Sequence, residues 1–201
     1  STEYSYGALY YLSCRIATHL KENFGVKPGD RVAVLATNEL EYIPLFFATQ
    51  RLGAVLVPVN FRLAGREIDH ILEDSGAEVL IAQDAFKEIV EKLNPNHVPE
   101  KRWSFDAAGA SLRAFSQAAA AEYNANVSAS IRSSTPFSWE VPFAAEFEAP
   151  AMILYTSGTT GAPKGAIITL KMMFWNSVNT GLRLNLTQND VNVSFLPFFH
   201  T

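Results

Sequence analysis

A chain of 201 residues can bury a real core, as one large domain or two small ones, and 48% apolar with 18% charged residues is an ordinary globular composition. A net charge of −4 argues against general nucleic-acid binding, and no run of about 18 apolar residues is present to span a membrane. Cys14 is the single cysteine, which excludes an internal disulfide, and with no basic-then-apolar leader the cytoplasm is the expected location.

Ser5 is a candidate N-cap. Leu9, Leu12, Ile16, Leu20 and Phe24 then recur at the spacing of an amphipathic helix, which Gly25 closes. Cys14 falls inside this pattern and reads as packed rather than reactive. Residues 31–36 read as a buried strand. Asn38 is a candidate cap for the next helix, which runs to Gly53, and Pro44 near its first turn predicts a late start or a mild kink. Residues 54–59 and 78–82 are two further strands; residues 65–75 and 86–93 are helices, the first ended by Gly76. This alternation implies an α/β fold: βαβ units, a parallel-rich sheet and flanking helices. Asn60 and Arg62 fall at a strand's C-terminal end, where α/β proteins tend to place function, though a capping or salt-bridging pair is the favoured reading.

From residue 94 to 150 the pattern fades. Residues 101–105 read as one more strand and 112–121 as a helix, with a serine-rich stretch at 128–142. This part is expected to be variable, partly flexible surface, with His97 exposed and inert. His19, His70, His97 and His200 are scattered and have no metal-ligand spacing. The chain divides into residues 1–105 as a βαβ subdomain, 106–150 as a connection, and 151–201 as a hairpin followed by a helix and a strand.

The densest chemistry lies in YTSGTTGAPKG, residues 155–165, between apolar runs at 151–154 and 166–168. Gly158, Gly161 and Gly165 allow positive φ and close approach of the backbone to a ligand, and successive N–H groups in such a loop converge on an anion. Thr156, Ser157, Thr159 and Thr160 add hydroxyl donors, and Lys164 adds a full positive charge. A polyphosphate needs this combination. The motif is not a Walker A loop, since Pro163 precedes the lysine and Gly165 follows it, so a magnesium ligand has to come from elsewhere. The plain alternative is a polar hairpin turn. Beyond the loop, Thr169 caps a predicted helix over 171–184. Its methionine-aromatic stripe of Met172, Met173, Trp175 and Val178 is expected to pack into the core. A strand is expected over 191–196.

The eleven residues YTSGTTGAPKG resemble the signature phosphate loop of the adenylate-forming superfamily. GVKPGDRVAVL, RLGAV and VPVNFRL resemble the N-terminal region of its acyl-CoA synthetase branch. PFFHT at 197–201 is similar to the family's P-L-F-H-T segment, with Phe198 where leucine is commoner, and Leu170 stands where histidine is often found. The resemblance implies part of the N-terminal domain of an acyl-CoA synthetase-like fold. It also implies a two-step reaction. A carboxylate attacks the α-phosphate of Mg-ATP to give an acyl-adenylate and pyrophosphate, and a thiol, most often CoA, then displaces AMP. Thr156, Ser157, Gly158, Thr159, Thr160, Gly161 and Lys164 are implied to hold the β- and γ-phosphates, and His200 to lie near the reacting carboxylate. The adenine-binding segment, the Mg2+-binding acidic residue and the mobile C-terminal domain of the family are implied to lie beyond residue 201. The chain alone is therefore expected to be inactive. Two other readings stand beside this one: a non-catalytic phosphate-binding module, or an adenylating enzyme with a carrier-protein acceptor. Self-association through the apolar stretch at 195–199 is a further expectation.

Overall fold

A computed structural model of the chain describes residues 3–106, 111–133, 145–156, 162–192 and 196–199. Helix α1 spans Tyr6–Phe24. Ser5 caps it, its Oγ accepting from Ala8 N–H at 3.2 Å, and Gly25 ends it at φ 64°. The stripe predicted from spacing is the buried face: Leu12, Ile16 and Leu20 are fully buried. Strand β1 is Arg31–Leu35 and helix α2 is Tyr42–Leu52. Pro44 lies in the first turn of α2, where its missing N–H costs nothing, which is the late start expected. Asn38 does not cap this helix. Glu41 is the N-cap and makes no side-chain cap bond, and the Asn38 amide bonds instead to Leu196 and Phe198. Strand β2 is Val55–Pro58 and helix α3 is Gly65–Ser75, where the Glu67 carboxylate accepts from Ala64 N–H at 2.9 Å. Strand β3 is Val79–Ala82, helix α4 Lys87–Glu91, and strand β4 Lys101–Ser104.

These strands join β5, Pro150–Thr156, and β6, Lys164–Thr169, in one six-stranded sheet of order β4-β3-β1-β2-β5-β6. All neighbours are parallel except β5 and β6, which form an antiparallel hairpin. The period-2 alternation of strands sorts the core into two layers. Val32, Val34, Leu56, Val79 and Ile81 face α1 and α2. Ala33, Leu35, Val57 and Leu80 face Ile68, Ile71 and Leu72 of α3. Each Val, Leu or Ile side chain among these contributes roughly 1.5–3 kcal/mol on burial.

The middle of the chain is more integrated than expected. Helix α5 runs over Leu112–Ser133, well past residue 121. Phe105 and Leu112 are fully buried in the α1/α2 layer, and Ala119 packs with Tyr11 and Leu12 of α1. Its alanine-rich sequence suits a close helix–helix approach rather than surface decoration. His97 is not inert either. Its Nδ1 lies 2.9 Å from Asp69 Oδ2 and its Nε2 3.4 Å from Glu73 Oε1, tying the loop after α4 to α3.

Helix α6, Leu170–Leu184, is capped by Thr169 Oγ1 accepting from Met172 N–H at 3.2 Å. The expectation that its methionine-aromatic stripe is core does not hold: no residue of α6 is buried, and Trp175 is 52% exposed. The helix lies along the β5–β6 hairpin at one end of the sheet, and no other described element covers its outer side. Val191, Asn192 and Leu196 are not in a strand, and the centre of the strand expected there, 193–195, lies outside the described residues. No described helix is long and apolar enough to cross a membrane.

Candidate functional site at the C-terminal sheet edge

In open α/β sheets, ligands bind outside the C-terminal ends of the strands, where the following helices leave on opposite faces. Here α2, after β1, lies on one face of the sheet, and α3 and α4, after β2 and β3, on the other. A polar cluster fills that end of β1 and β3. Gln83, 5% exposed, accepts from Thr37 N–H at 2.7 Å and donates to Glu39 at 3.0 Å, and Glu39 pairs with Arg113 of α5 at 3.0 Å. The cluster fixes the turn that carries Asn38.

Asn38 uses both ends of its amide. Its Nδ2 donates to Leu196 O at 2.7 Å, and its Oδ1 accepts from Phe198 N–H at 2.9 Å. One side chain thus does for the segment 196–198 what a neighbouring strand does in a ladder. Phe198 then stacks near Tyr42, with centroids 5.4 Å apart, and Phe199 meets Phe61 edge-on at 5.3 Å. His200 follows directly in sequence and lies outside the described residues, as do Ser157, Gly158, Thr159, Thr160 and Gly161. Asn60 closes a local turn, its Oδ1 accepting from Arg62 N–H at 2.9 Å, while Ala64 is the N-cap of α3 and the Arg62 guanidinium lies over the Phe61 ring at 5.5 Å.

Thr156 and Lys164 are opposite each other in the β5–β6 register, so they form the two shoulders of the loop between them. Both are exposed, and among the described residues no carboxylate pairs with Lys164. Gly165 corrects one part of the sequence reading. It lies in β6 and is not among the glycines with positive φ. A Cβ there would stand 2.8 Å from Ile153 Cγ2 and 3.1 Å from Tyr155 Cζ, so the position needs glycine for room rather than for φ.

Next to this hairpin is an apolar cavity of about 610 Å³ walled by Met152, Leu154, Ile168, Met172, Met173 and Phe198. A smaller one of about 180 Å³, against Tyr42 and Phe46, shares Met152 and Phe198 with it. Among the described residues no group of three or more His, Cys, Asp or Glu side chains is placed to hold a metal ion. Sequence reasoning missed Asn38 in this role. The available signal was a polar residue just past a buried strand, which was read as a helix cap.

A mostly parallel six-stranded sheet with helices on both faces and an antiparallel hairpin at its edge defines an open α/β protein. The chain belongs to the AMP-binding enzyme family, whose family model matches residues 1–201. It is 36% identical to a feruloyl-CoA synthase from an Amycolatopsis species over 99% of its own length and 35% of that protein. It is 38% identical to the fatty acid–[acyl-carrier-protein] ligase ScoC of Streptomyces coeruleorubidus over 85% of the chain and 29% of the relative. Among solved structures, ATP-bound MatB from Rhodopseudomonas palustris matches with a TM-score of 0.77 and 25% identity, covering all of this chain and 36% of that one. The chain thus spans about a third of the length of the relatives it matches.

Proposed function

We propose that this chain supplies the phosphate-gripping part of an ATP-dependent carboxylate–thiol ligase that forms an acyl-adenylate and then a thioester. The observation that carries this reading is the juxtaposition of the Thr156/Lys164 shoulders with the apolar cavity beside them. A polyphosphate and an apolar acid meet there, at one edge of one sheet.

In this reading Thr156, Ser157, Thr159 and Thr160, the N–H groups around Gly158 and Gly161, and the Lys164 ammonium hold the β- and γ-phosphates. The carboxylate attacks the α-phosphate, the bond to the bridging oxygen breaks, and pyrophosphate leaves with the negative charge those donors stabilise. His200 is assigned to the reacting carboxylate, following in sequence the residues 196–198 that Asn38 holds. The cavity takes the apolar body of the acid. Magnesium would neutralise the phosphates, with ligands supplied mostly outside this chain. CoA is the acceptor that the feruloyl-CoA synthase match favours; a carrier protein is the alternative raised by the ScoC match. The cytoplasm is the proposed location. The division at residues 105 and 150 is proposed for the sequence alone, since strands from the first and third parts share one sheet and α5 of the second packs on α1. Within 196–199, expected to drive self-association, Phe199 is buried and Phe198 packs against the core, so self-association of the isolated chain is proposed instead through the exposed apolar side chains of α6; a clean monomer on sedimentation would count against that.

Calorimetric titration with pyrophosphate tests the core of the reading. Lys164→Ala is expected to weaken binding by about tenfold or more, from the loss of a charged donor. Equal binding by both forms rules the loop out as the site. The chain alone is expected to release no pyrophosphate from ATP with fatty or aromatic acids, and release matching an intact family member would overturn that expectation.

A further inference from the structure

We propose that helix α3 is the holder of the phosphate loop, with His70 and Asp74 gripping its two arms and so setting the geometry in which it receives phosphate. The proposal rests on the phosphate-binding reading above. It starts from two contacts that converge on one helix from opposite sides of one loop. On the entry arm, the Tyr155 hydroxyl donates to Asp74 Oδ2 at 2.6 Å. On the exit arm, His70 Nε2 lies 3.1 Å from the carbonyl oxygen of Pro163. A carbonyl only accepts, so Nε2 carries the hydrogen.

His70 and Asp74 are four residues apart, hence neighbours on one face of α3. Their targets come immediately before Thr156 and Lys164, the two described residues of the candidate phosphate site. The grip has a firm base, since Ile68, Ile71 and Leu72 of the same helix are buried in the sheet's second layer. The sequence makes room for it as well. The phenol passes over Gly165, where a Cβ would come within 3.1 Å of Tyr155 Cζ and 3.3 Å of its hydroxyl. The glycine that closes the motif therefore serves the grip on the loop. Burial, and after it the hydrogen bond and charge of Asp74, raise the Tyr155 pKa above the ordinary phenol range, so the hydroxyl remains a donor.

Arms held in place before an anion binds lower the ordering cost of binding, so the contacts should appear in affinity. Pyrophosphate titration of the 201-residue chain, with a thermal melt of each protein, reads this out. His70→Ala and Tyr155→Phe are each expected to weaken binding by about three- to tenfold, the range for one hydrogen bond, with unchanged melting temperatures. His70→Gln keeps an N–H donor near the Nε2 position and Asp74→Asn keeps an acceptor; both are expected to bind within about twofold of wild type. If wild type binds and Lys164→Ala does not, but His70→Ala and Tyr155→Phe bind like wild type, the grip is refuted and the loop reading stands. Losses that track melting temperature and that Gln or Asn do not rescue also refute it, leaving only packing. If wild type binds no pyrophosphate, both readings fall together.

Discussion

The middle of the sheet and its β5–β6 end put similar side chains to different uses. Around β1, Val32 and Val34 on one face and Ala33 and Leu35 on the other are all fully buried, because α1 and α2 cover one side and α3 the other. Around the β5–β6 hairpin, Ile167, Met172, Phe174 and Trp175 are equally apolar but exposed. Apolar character alone did not decide burial; the number of layers did. The difference separates two tasks. The first region holds itself together. The second is joined to it by the parallel pairing of β5 with β2 and by a few directed side-chain contacts: Gln50 Nε2 donating to Ala151 O at 2.9 Å, the Asn38 amide on 196–198, and the bonds of His70 and Asp74 of α3 with Pro163 and Tyr155. The candidate chemistry lies on the second.

The same deletion made in both regions breaks or sharpens this contrast most strongly. Leu35→Ala is expected to cost about 2–5 kcal/mol in urea denaturation, from lost transfer energy plus a cavity. Leu182→Ala, at a side chain 79% exposed on α6, is expected to stay within about 0.5 kcal/mol. Similar losses at both sites would mean that α6 is covered after all. Asn38→Ala comes next. It removes two hydrogen bonds worth roughly 0.5–1.5 kcal/mol each. The loss should appear as faster amide exchange at Phe198, with Leu35 and its neighbours unaffected; Asn38→Asp, which keeps only the acceptor, should fall between. Loss of protection across the whole sheet would show the two regions to be one cooperative unit.

The smallest effect is a pH dependence confined to the first region. His19 stacks near Trp103 at 4.5 Å and Phe115 at 4.9 Å, and burial lowers its pKa from the ordinary 6.5, opposed by Glu22. The folded state therefore favours the neutral ring. Its contribution to stability is complete above pH 6.5 and is lost as pH falls below that value through the lower folded pKa. His19→Phe should flatten this acid limb in melts taken over a pH series; an unchanged limb would place the titrating group elsewhere.

Much of the first region was legible in the sequence. Ser5, Gly25 and Gly76 marked helix ends through local backbone chemistry, and a run such as RVAVLA has few alternatives to a buried strand. The site was legible as chemistry but not as architecture. Hydroxyls, glycines and a lysine in one loop point to phosphate from composition alone, and Thr156 and Lys164 do flank it. Asn38 looked like a helix cap because its true partners, Leu196 and Phe198, are far along the chain. His70 showed no metal-ligand spacing and nothing in the sequence singled out Asp74; their targets become visible only when β5 and β6 are laid beside α3. The stripe on α6 was misread for the opposite reason. A 3.6-residue period reports that a helix has an apolar side, not that another layer lies against it.

The pairing of Thr156 with Lys164 across the hairpin has a consequence for how the loop can vary. Successive strand residues face opposite sides of a sheet, so deleting or inserting one residue between those two positions offers two outcomes. Either the slack is absorbed within the bend, or the return strand slips and turns its ammonium to the far side, setting a bulkier residue beneath the tyrosine ring. Substitutions in the bend can adjust how an anion is received, but its length is tied to the ladder on which it stands.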